Sequence, residues 1–296
     1  DHVADTDRKI WNYAANAKVF PNPKHSLAFS AFGDPSTGDD GPQRASSFTI
    51  PNQEDRFTEL KYGGHNVMGR WNGEIANNFF MEASLAWHKD KFEEGGAGIV
   101  ESGGSDRTTQ PYTYYGGVGF FGNSKSKNLQ FKVKGSNFVE AGGEHNFRYG
   151  LDYQKIGYDN TTNYSGPNGL TIPLSTGTVT TTSGYTWYVH PSGTQFRVPR
   201  FRSNELDVET DADYTAFFVS DSWNITEDIN VMAGIRYERN KLIGNLDDIV
   251  WGGNWAPRFH ATWDPTRDNK TKIGFSWGRF FGKVPNDLAV RALSSE

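Results

Sequence analysis

The stretch Ile229–Glu238, with the sequence INVMAGIRYE, decides the fold. Its odd-numbered positions are Ile229, Val231, Ala233, Ile235 and Tyr237, while its even-numbered positions include asparagine, arginine and glutamate. Successive side chains of a strand point to opposite faces of the sheet. A period of two therefore predicts a β-strand with one apolar face and one polar face.

The same alternation recurs along the chain, most clearly in Phe79–Trp87, Leu129–Val133, Phe147–Tyr153 and Ile273–Trp277. It weakens near Phe217 and Phe218, which fall on opposite faces. From the pattern we predict ten strands, at roughly 8–20, 25–33, 57–73, 78–91, 128–136, 144–158, 208–223, 229–243, 254–264 and 271–281.

The predicted connections alternate in length. Those after odd-numbered strands are short turns, and those after even-numbered strands are longer, near 34–56, 92–127, 159–207 and 244–253. Several strands exceed the ~5–6 residues of an average soluble strand. This asymmetry is typical of an all-β, antiparallel up-and-down transmembrane β-barrel, with short periplasmic turns and long extracellular loops.

Composition narrows the alternatives. The 296 residues are 35% hydrophobic, and no run reaches the ~18 apolar residues of a membrane-spanning helix. Aromatic residues make up 15%, which argues against disorder. The chain has no cysteine, which excludes disulfides, thiolate zinc sites and thiol nucleophiles. A net charge of −5 without a basic run argues against nucleic acid as a partner.

Several stretches resemble TonB-dependent outer-membrane receptors: Phe217–Trp223 followed by Ile229–Glu238, then Trp255–Phe259, Lys272–Arg279 and Glu144–Asp152. Gly116–Phe120 and Phe281–Glu296 are most similar to the Oar-like branch. The resemblance implies a 22-stranded barrel in the bacterial outer membrane. It also implies an N-terminal plug and energy supplied from the inner membrane through a TonB box.

Ten strands would form only part of such a barrel. We expect residues 1–296 to be a partial barrel, with the plug, the TonB box and the remaining strands outside this sequence. After the last predicted strand, Val284–Leu293 indicates a loop and a short helix with Asn286 or Asp287 as its N-cap.

The polar faces supply the first set of candidate site residues. In a barrel they line a wet lumen, and the resemblance makes contact with the plug more plausible than chemistry. In a soluble sandwich they would simply face water. The predicted lumen-facing and plug-facing residues are Arg148, Asp152, Arg236, Glu238, Arg258 and His260.

Aromatic residues in two long loops form the second set. Such rings stack on the apolar or sugar face of a ligand. Alternatively, they form a small core beneath the loops. The residues are Tyr112, Tyr114, Tyr115, Phe120, Phe121, Tyr185, Trp187 and Tyr188.

No catalytic residue, metal site or cofactor is predicted. The seven histidines lack metal-ligand spacing, and there is no Gly-x-Ser-x-Gly elbow or phosphate loop. The pairs Asp39-Asp40 and Asp247-Asp248 are interpreted as solvated loop acids. The expected partners are outer-membrane lipid, the plug, the TonB complex and an unknown extracellular ligand.

Two other classes remain open at this point. A self-contained ten-stranded outer-membrane hydrolase requires a coding region that ends near Glu296. A soluble β-sandwich or adhesin domain requires strands of ordinary length, with Ile229, Val231 and Ile235 sealed between two sheets.

Overall fold

A computed structural model describes residues 7–39, 58–96, 99, 103–106, 113–116, 120–164, 171–174, 177–180, 186–189, 195–198, 205–244, 246–267 and 270–283. Its strands are β1 (Asp7–Ile10), β2 (Tyr13–Asn22), β3 (His25–Gly33), β4 (Ser36–Asp39), β5 (Glu59–Ala76), β6 (Phe79–Gly95), β7 (Gly103–Asp106), β8 (Thr113–Gly116), β9 (Phe120–Glu140), β10 (Glu144–Tyr164), β11 (Thr171–Leu174), β12 (Gly177–Thr180), β13 (Thr186–Val189), β14 (Gln195–Val198), β15 (Glu205–Thr226), β16 (Ile229–Ile243), β17 (Asp248–Trp263) and β18 (Ile273–Gly278). These ranges contain no helix long and apolar enough to cross a membrane. The predicted helix near Asn286 lies outside them.

Twelve of these strands form one antiparallel sheet. Ten of the twelve follow chain order, because β2, β3, β5, β6, β9, β10, β15, β16, β17 and β18 each pair with the next. The short strands β4 and β1 continue β3 and β2 along the same edge, because β4 also pairs with β5 and β1 pairs with β4. The predicted up-and-down arrangement of ten strands is therefore confirmed.

Several strands are longer than the alternation indicates. β9 begins at Phe120 and β15 at Glu205, and β10 continues to Tyr164. Parts of the predicted loops 92–127, 159–207 and 244–253 are thus strand, and β4 lies within 34–56. The reason is visible in Asn123–Lys127 (NSKSK), where polar residues occupy both faces and leave no alternation.

One face of the sheet exposes a continuous apolar band. Ile235 is 39% exposed and Phe275 is 62% exposed. Through the strand register, these share a face with most of the large exposed apolar side chains, including Leu85, Phe131, Tyr149, Phe217, Val219, Trp255 and Phe259. A soluble monomer rarely exposes such a patch. The sandwich prediction is wrong, because Ile235 is not sealed between sheets.

The opposite face, which carries the charged residues, is also the face whose side chains are most buried. The seven buried apolar residues of the described chain share a face with Arg236; they are Leu60, Val208, Ala212, Tyr214, Ala216, Leu242 and Ala256. Side chains crowd on the concave side of a curved sheet. The polar face is therefore the inner face of a partial barrel, and the apolar band is its outer face.

The strand tilt follows from the position of the band. Its upper edge lies at Trp87 on β6 and at Tyr237 on β16, where charged residues begin. Traced through the register, Tyr237 aligns with Ala83 on β6, four residues below Trp87. The edge thus falls by one residue per strand, which at ~3.3 Å per residue and ~4.8 Å per strand gives a tilt of about 35°. Transmembrane barrels tilt by ~35–45°.

Two tryptophans mark the height of the band on β17. Trp255 and Trp263 are 54% and 50% exposed, and they lie on the outer face eight residues apart. That separation is about 26 Å along the strand and about 22 Å along the membrane normal. The height is close to the ~25 Å apolar band of transmembrane barrels. Indole rings at its two edges suit the membrane interface.

The turn between β9 and β10 provides a test of backbone strain. Gly142 has φ +66° and open space around it, whereas Gly143 has φ +124° and a Cβ there would overlap with the carbonyl of Asn224. We expect Gly142→Ala to lower the free energy of unfolding by about 1 kcal/mol and Gly143→Ala by about 3 kcal/mol. Urea titration of the complete receptor in lipid vesicles measures both. Equal effects would contradict the assigned turn geometry.

Candidate functional site on the inner wall

Arg236 is the centre of a polar network on the inner face. Its Nε donates to Glu238 Oε1 at 2.6 Å, and its Nη2 donates to the Tyr214 hydroxyl at 2.8 Å. Nη2 also lies 3.4 Å from Asp152 Oδ2. The Tyr214 hydroxyl in turn donates to Glu238 Oε1 at 3.0 Å. The side chains of Arg236, Asp152 and Glu238 are only 19%, 18% and 10% exposed, so the network is shielded from water.

The register explains how three strands contribute to one network. Arg236 and Glu238 are two residues apart on β16 and share a face. Asp152 on β10 and Glu238 on β16 both align with Ala216 on the intervening β15. The methyl group of Ala216 leaves space above β15, and the long Arg236 side chain spans it to reach Asp152.

Phe218 supports the network from below. It is one of the two phenylalanines at which the alternation weakens, and the register places it on the inner face opposite Arg236. The guanidinium carbon of Arg236 lies 5.8 Å from the ring centroid. The ring also covers Gly150, where an added Cβ would lie 2.7 Å from Phe218 Cε1. The glycine thus makes room for an inward-facing aromatic ring.

Lys283 joins the network from the segment that follows β18. Its Nζ donates to Gln154 Oε1 at 2.6 Å and lies 4.1 Å from the centroid of the Tyr214 ring. The Arg279 amide donates to the Pro257 carbonyl at 3.0 Å. Residues 279–283 therefore turn inward across the concave face. No alternation marks Lys283, and its contact with this network is visible only in the fold.

The structure brings together three of the six predicted inner-wall residues, Asp152, Arg236 and Glu238. Arg148 and Arg258 share a register row through Ser220 and Gly234. Arg258 lies 4.6 Å from the Phe280 ring centroid.

His260 also lies on the inner face, below Arg258. Its Nδ1 is 2.7 Å from the Ser276 hydroxyl on β18. All six predicted residues thus lie on inner-face positions of the sheet, and their contact with a plug stays a prediction.

The predicted aromatic loop residues fall in several places. Tyr112 and Tyr185 lie outside the described residues, and Phe120 and Phe121 begin β9. A four-stranded sheet with the order β14-β13-β7-β8 joins the two loops. Its register aligns Trp187 with Tyr115 through Gly104, and Tyr188 with Tyr114 through Ser105. Both loops are therefore partly strand, and their aromatic residues occupy neighbouring rows.

The remaining candidates for chemistry are dispersed. Asp248 forms an ion pair with Lys241 at 2.8 Å, and Asp39 pairs with Asp7 in the β4–β1 register. Within the described residues, no group of three or more metal-binding side chains comes together.

Comparison with known proteins agrees with this geometry. Residues 11–290 match the family model described as TonB dependent receptor-like, beta-barrel. The TonB-dependent transporter Oar of Myxococcus xanthus is 26% identical over 194 residues, which are 63% of this chain and 18% of that protein.

Solved structures show the same fold. Pseudomonas aeruginosa FpvA, solved with heterologous pyoverdines, superimposes with a TM-score of 0.59 and 13% identity over 92% of this chain and 35% of FpvA. The Escherichia coli outer membrane transporter YddB gives a TM-score of 0.58 and 14% identity over 98% of this chain and 34% of YddB. The chain thus spans about a third or less of the length of these relatives.

Proposed function

The chain belongs to the TonB-dependent receptor β-barrel family, and from this membership we propose that it forms part of the wall of an outer-membrane transporter. Outer loops capture a ligand, which passes through the lumen when the plug rearranges under energy supplied through TonB. The observation that carries the proposal is the sheet itself, with its apolar outer band and charged inner wall. The relatives described above are receptors and transporters, which favours transport over the hydrolase alternative.

We assign the short connections to the periplasm and the long ones to the cell exterior. Outer-membrane barrels have short periplasmic turns and longer extracellular loops. In the described chain, β5–β6, β9–β10 and β15–β16 are joined by two to three residues, whereas β10 and β15 are separated by residues 165–204. The small sheet containing β8 and β13 then lies outside the cell.

The inner wall is assigned to the plug. Arg148 and Arg258 are exposed on the inner face, and neither forms an ion pair with another described residue. Phe80 and Phe138 form an edge-to-face pair on the same face, at 6.0 Å between ring centroids. Exposed cations beside exposed rings suit a partner surface of acidic and apolar residues.

The small sheet containing β8 and β13 is assigned to ligand capture. The alignment of Trp187 with Tyr115 and of Tyr188 with Tyr114 concentrates aromatic residues from two loops in one place. Aromatic rings bind planar, apolar or sugar surfaces. FpvA, which shares this fold, is solved with bound pyoverdines.

These 296 residues contain no cysteine, so a thiol introduced into them is unique within this part of the wall. Phe131→Cys and Lys134→Cys place thiols on opposite faces of β9, at positions that are both exposed in the isolated sheet. We expect a charged maleimide to label Lys134→Cys at least tenfold faster in vesicles containing the complete receptor, because hydrocarbon shields Phe131→Cys. Equal labelling rates would contradict the assignment of the apolar band, which includes Phe131, to contact with the membrane.

The same preparation tests the transport assignment. A purified TonB periplasmic domain is the probe, and we expect it to bind the complete receptor in the outer-membrane fraction. A receptor that passes the labelling test and does not bind TonB would contradict transport without contradicting the barrel wall.

A further inference from the structure

Four lysines form a square on the outer face, immediately above the apolar band. Lys89 on β6 lies directly opposite Lys127 on β9, and Lys91 lies directly opposite Lys125. Residues opposite each other in an antiparallel pair have Cβ atoms ~5 Å apart, and positions two residues apart along a strand are ~6.6 Å apart. Like charges in directly opposite positions are destabilising. An anion beside either pair would therefore offset its repulsion.

The upper pair has its anion within the chain. Glu93 lies 3.0 Å from Lys91 Nζ and 3.7 Å from Lys125 Nζ. The hydrogen bond from Lys91, together with the positive charges of Lys91 and Lys125, holds the pKa of Glu93 below its ordinary value. Lys91 and Lys125 thus share one carboxylate, which offsets part of their repulsion.

The lower pair has no such partner. Within the part of the chain that the structure describes, neither Lys89 nor Lys127 forms an ion pair, and both side chains are exposed. The residue beside Lys127 on β10 is Gly157, which has no side chain. The Asp211 carboxylate on β15 extends over Gly157, with Oδ1 3.0 Å from the position of an added Cβ, but its ion pair is with Lys155, at 3.6 Å.

The position of the lower pair indicates which chemical class of ligand binds there. Two residues below it, Trp87 and Leu129 face each other at the upper edge of the band, and they are 41% and 39% exposed. A molecule with hydrocarbon chains against this band carries its headgroup at the level of Lys89 and Lys127. We propose that these two lysines bind the phosphate of an anionic membrane lipid, whose acyl chains lie against Trp87 and Leu129.

The proposal rests on the membrane-wall function, and the surface favours a lipid over free phosphate. The two ammonium groups provide charge for either ligand. The apolar surface below the two lysines is covered only by a ligand that also carries hydrocarbon chains. A lipid also removes the repulsion between Lys89 and Lys127, which the chain itself leaves in place.

The test compares two double variants of the complete receptor. Lys89→Gln with Lys127→Gln removes the site. Lys61→Gln with Lys241→Gln is the matched control, because it removes the same charge from the same face at lysines paired with Glu59 and Asp248. Native mass spectrometry measures retention of phosphatidylglycerol and phosphatidylcholine with identical acyl chains. We expect the site variant to retain about tenfold less phosphatidylglycerol than the control, and both to retain phosphatidylcholine equally.

The melting temperature supplies a second readout, because the site variant should shift it in opposite directions in the two lipids. In a zwitterionic lipid, the site variant should melt higher than wild type, because the like-charge pair is gone. In phosphatidylglycerol it should melt lower, because the bound anion is lost. Equal retention by the two double variants overturns the lipid site, as does displacement of the lipid by millimolar inorganic phosphate. A wild-type receptor that fails to enter vesicles overturns the membrane wall as well, so the two failures are distinguishable.

Discussion

Ile235→Lys should lower the free energy of unfolding from a bilayer by about 1–3 kcal/mol, whereas Met232→Lys should change it by less than about 1 kcal/mol. The two residues lie three positions apart on β16 and are 39% and 40% exposed. Accessibility alone therefore predicts equal effects. The difference arises because Ile235 lies on the outer face within the band, two residues below its upper edge at Tyr237, while Met232 lies on the inner face.

The physical reason is the solvent that each side chain meets. An ammonium group at position 235 would enter hydrocarbon, with no acidic residue on the cross-strand neighbours Val219 and Pro257. At position 232 the neighbours are Ser222 and His260, in a wet lumen. A lumen-facing substitution of this kind changes selectivity more than folding.

Urea titration of both variants in lipid vesicles measures the difference, and heat-dependent gel mobility reports whether each barrel has formed. Small and equal effects at the two positions would place both faces in water. That result would overturn the membrane assignment of the band, even if the strand order were correct.

Arg236→Met should lower the free energy of unfolding by about 3–5 kcal/mol, because it leaves two poorly exposed carboxylates without their cation. Glu238 and Asp152 both depend on Arg236, and Tyr214 would lose the hydrogen bond that it accepts. Lys132 lies 3.9 Å from Asp152 and compensates only part of this loss.

Lys134→Met is the matched control on the same wall. It removes the 3.3 Å ion pair with Glu82, whose side chains are 51% and 32% exposed. Water and salt screen such a pair, so its loss should change the free energy of unfolding by at most about 1 kcal/mol. Equal effects of Arg236→Met and Lys134→Met would mean that the inner network contributes no more than a surface ion pair.

The sequence predicted the fold best where the two faces of a strand meet different solvents. Ile229–Glu238 alternates because its odd positions contact hydrocarbon and its even positions contact the lumen. Ten strands, their order and the inward direction of Arg236 and Glu238 followed from this period of two. The lumen position of Asp152 followed in the same way from Phe147–Tyr153.

Other features could not be predicted because no periodic signal accompanies them. Asn123–Lys127 is strand with polar residues on both faces, so no alternation marks the beginning of β9. Phe218 disturbs the alternation because it fills the space over an inner-face glycine. Lys283 reaches the network through a chain reversal after β18, which only tertiary structure shows.

The length of β9 and β10 has a consequence for the order of folding. From Leu129 to Phe120, β9 continues about 30 Å along its own direction past the upper edge of the band. There, a slip of one residue would exchange polar side chains for polar side chains and meet little resistance. The correct alignment must then be inherited from the segment in hydrocarbon, where the same slip would drive Lys132 or Asp152 into lipid. We expect this hairpin to form from the bilayer outward, so that the part of β9 and β10 beyond the upper edge of the band is the last to pair.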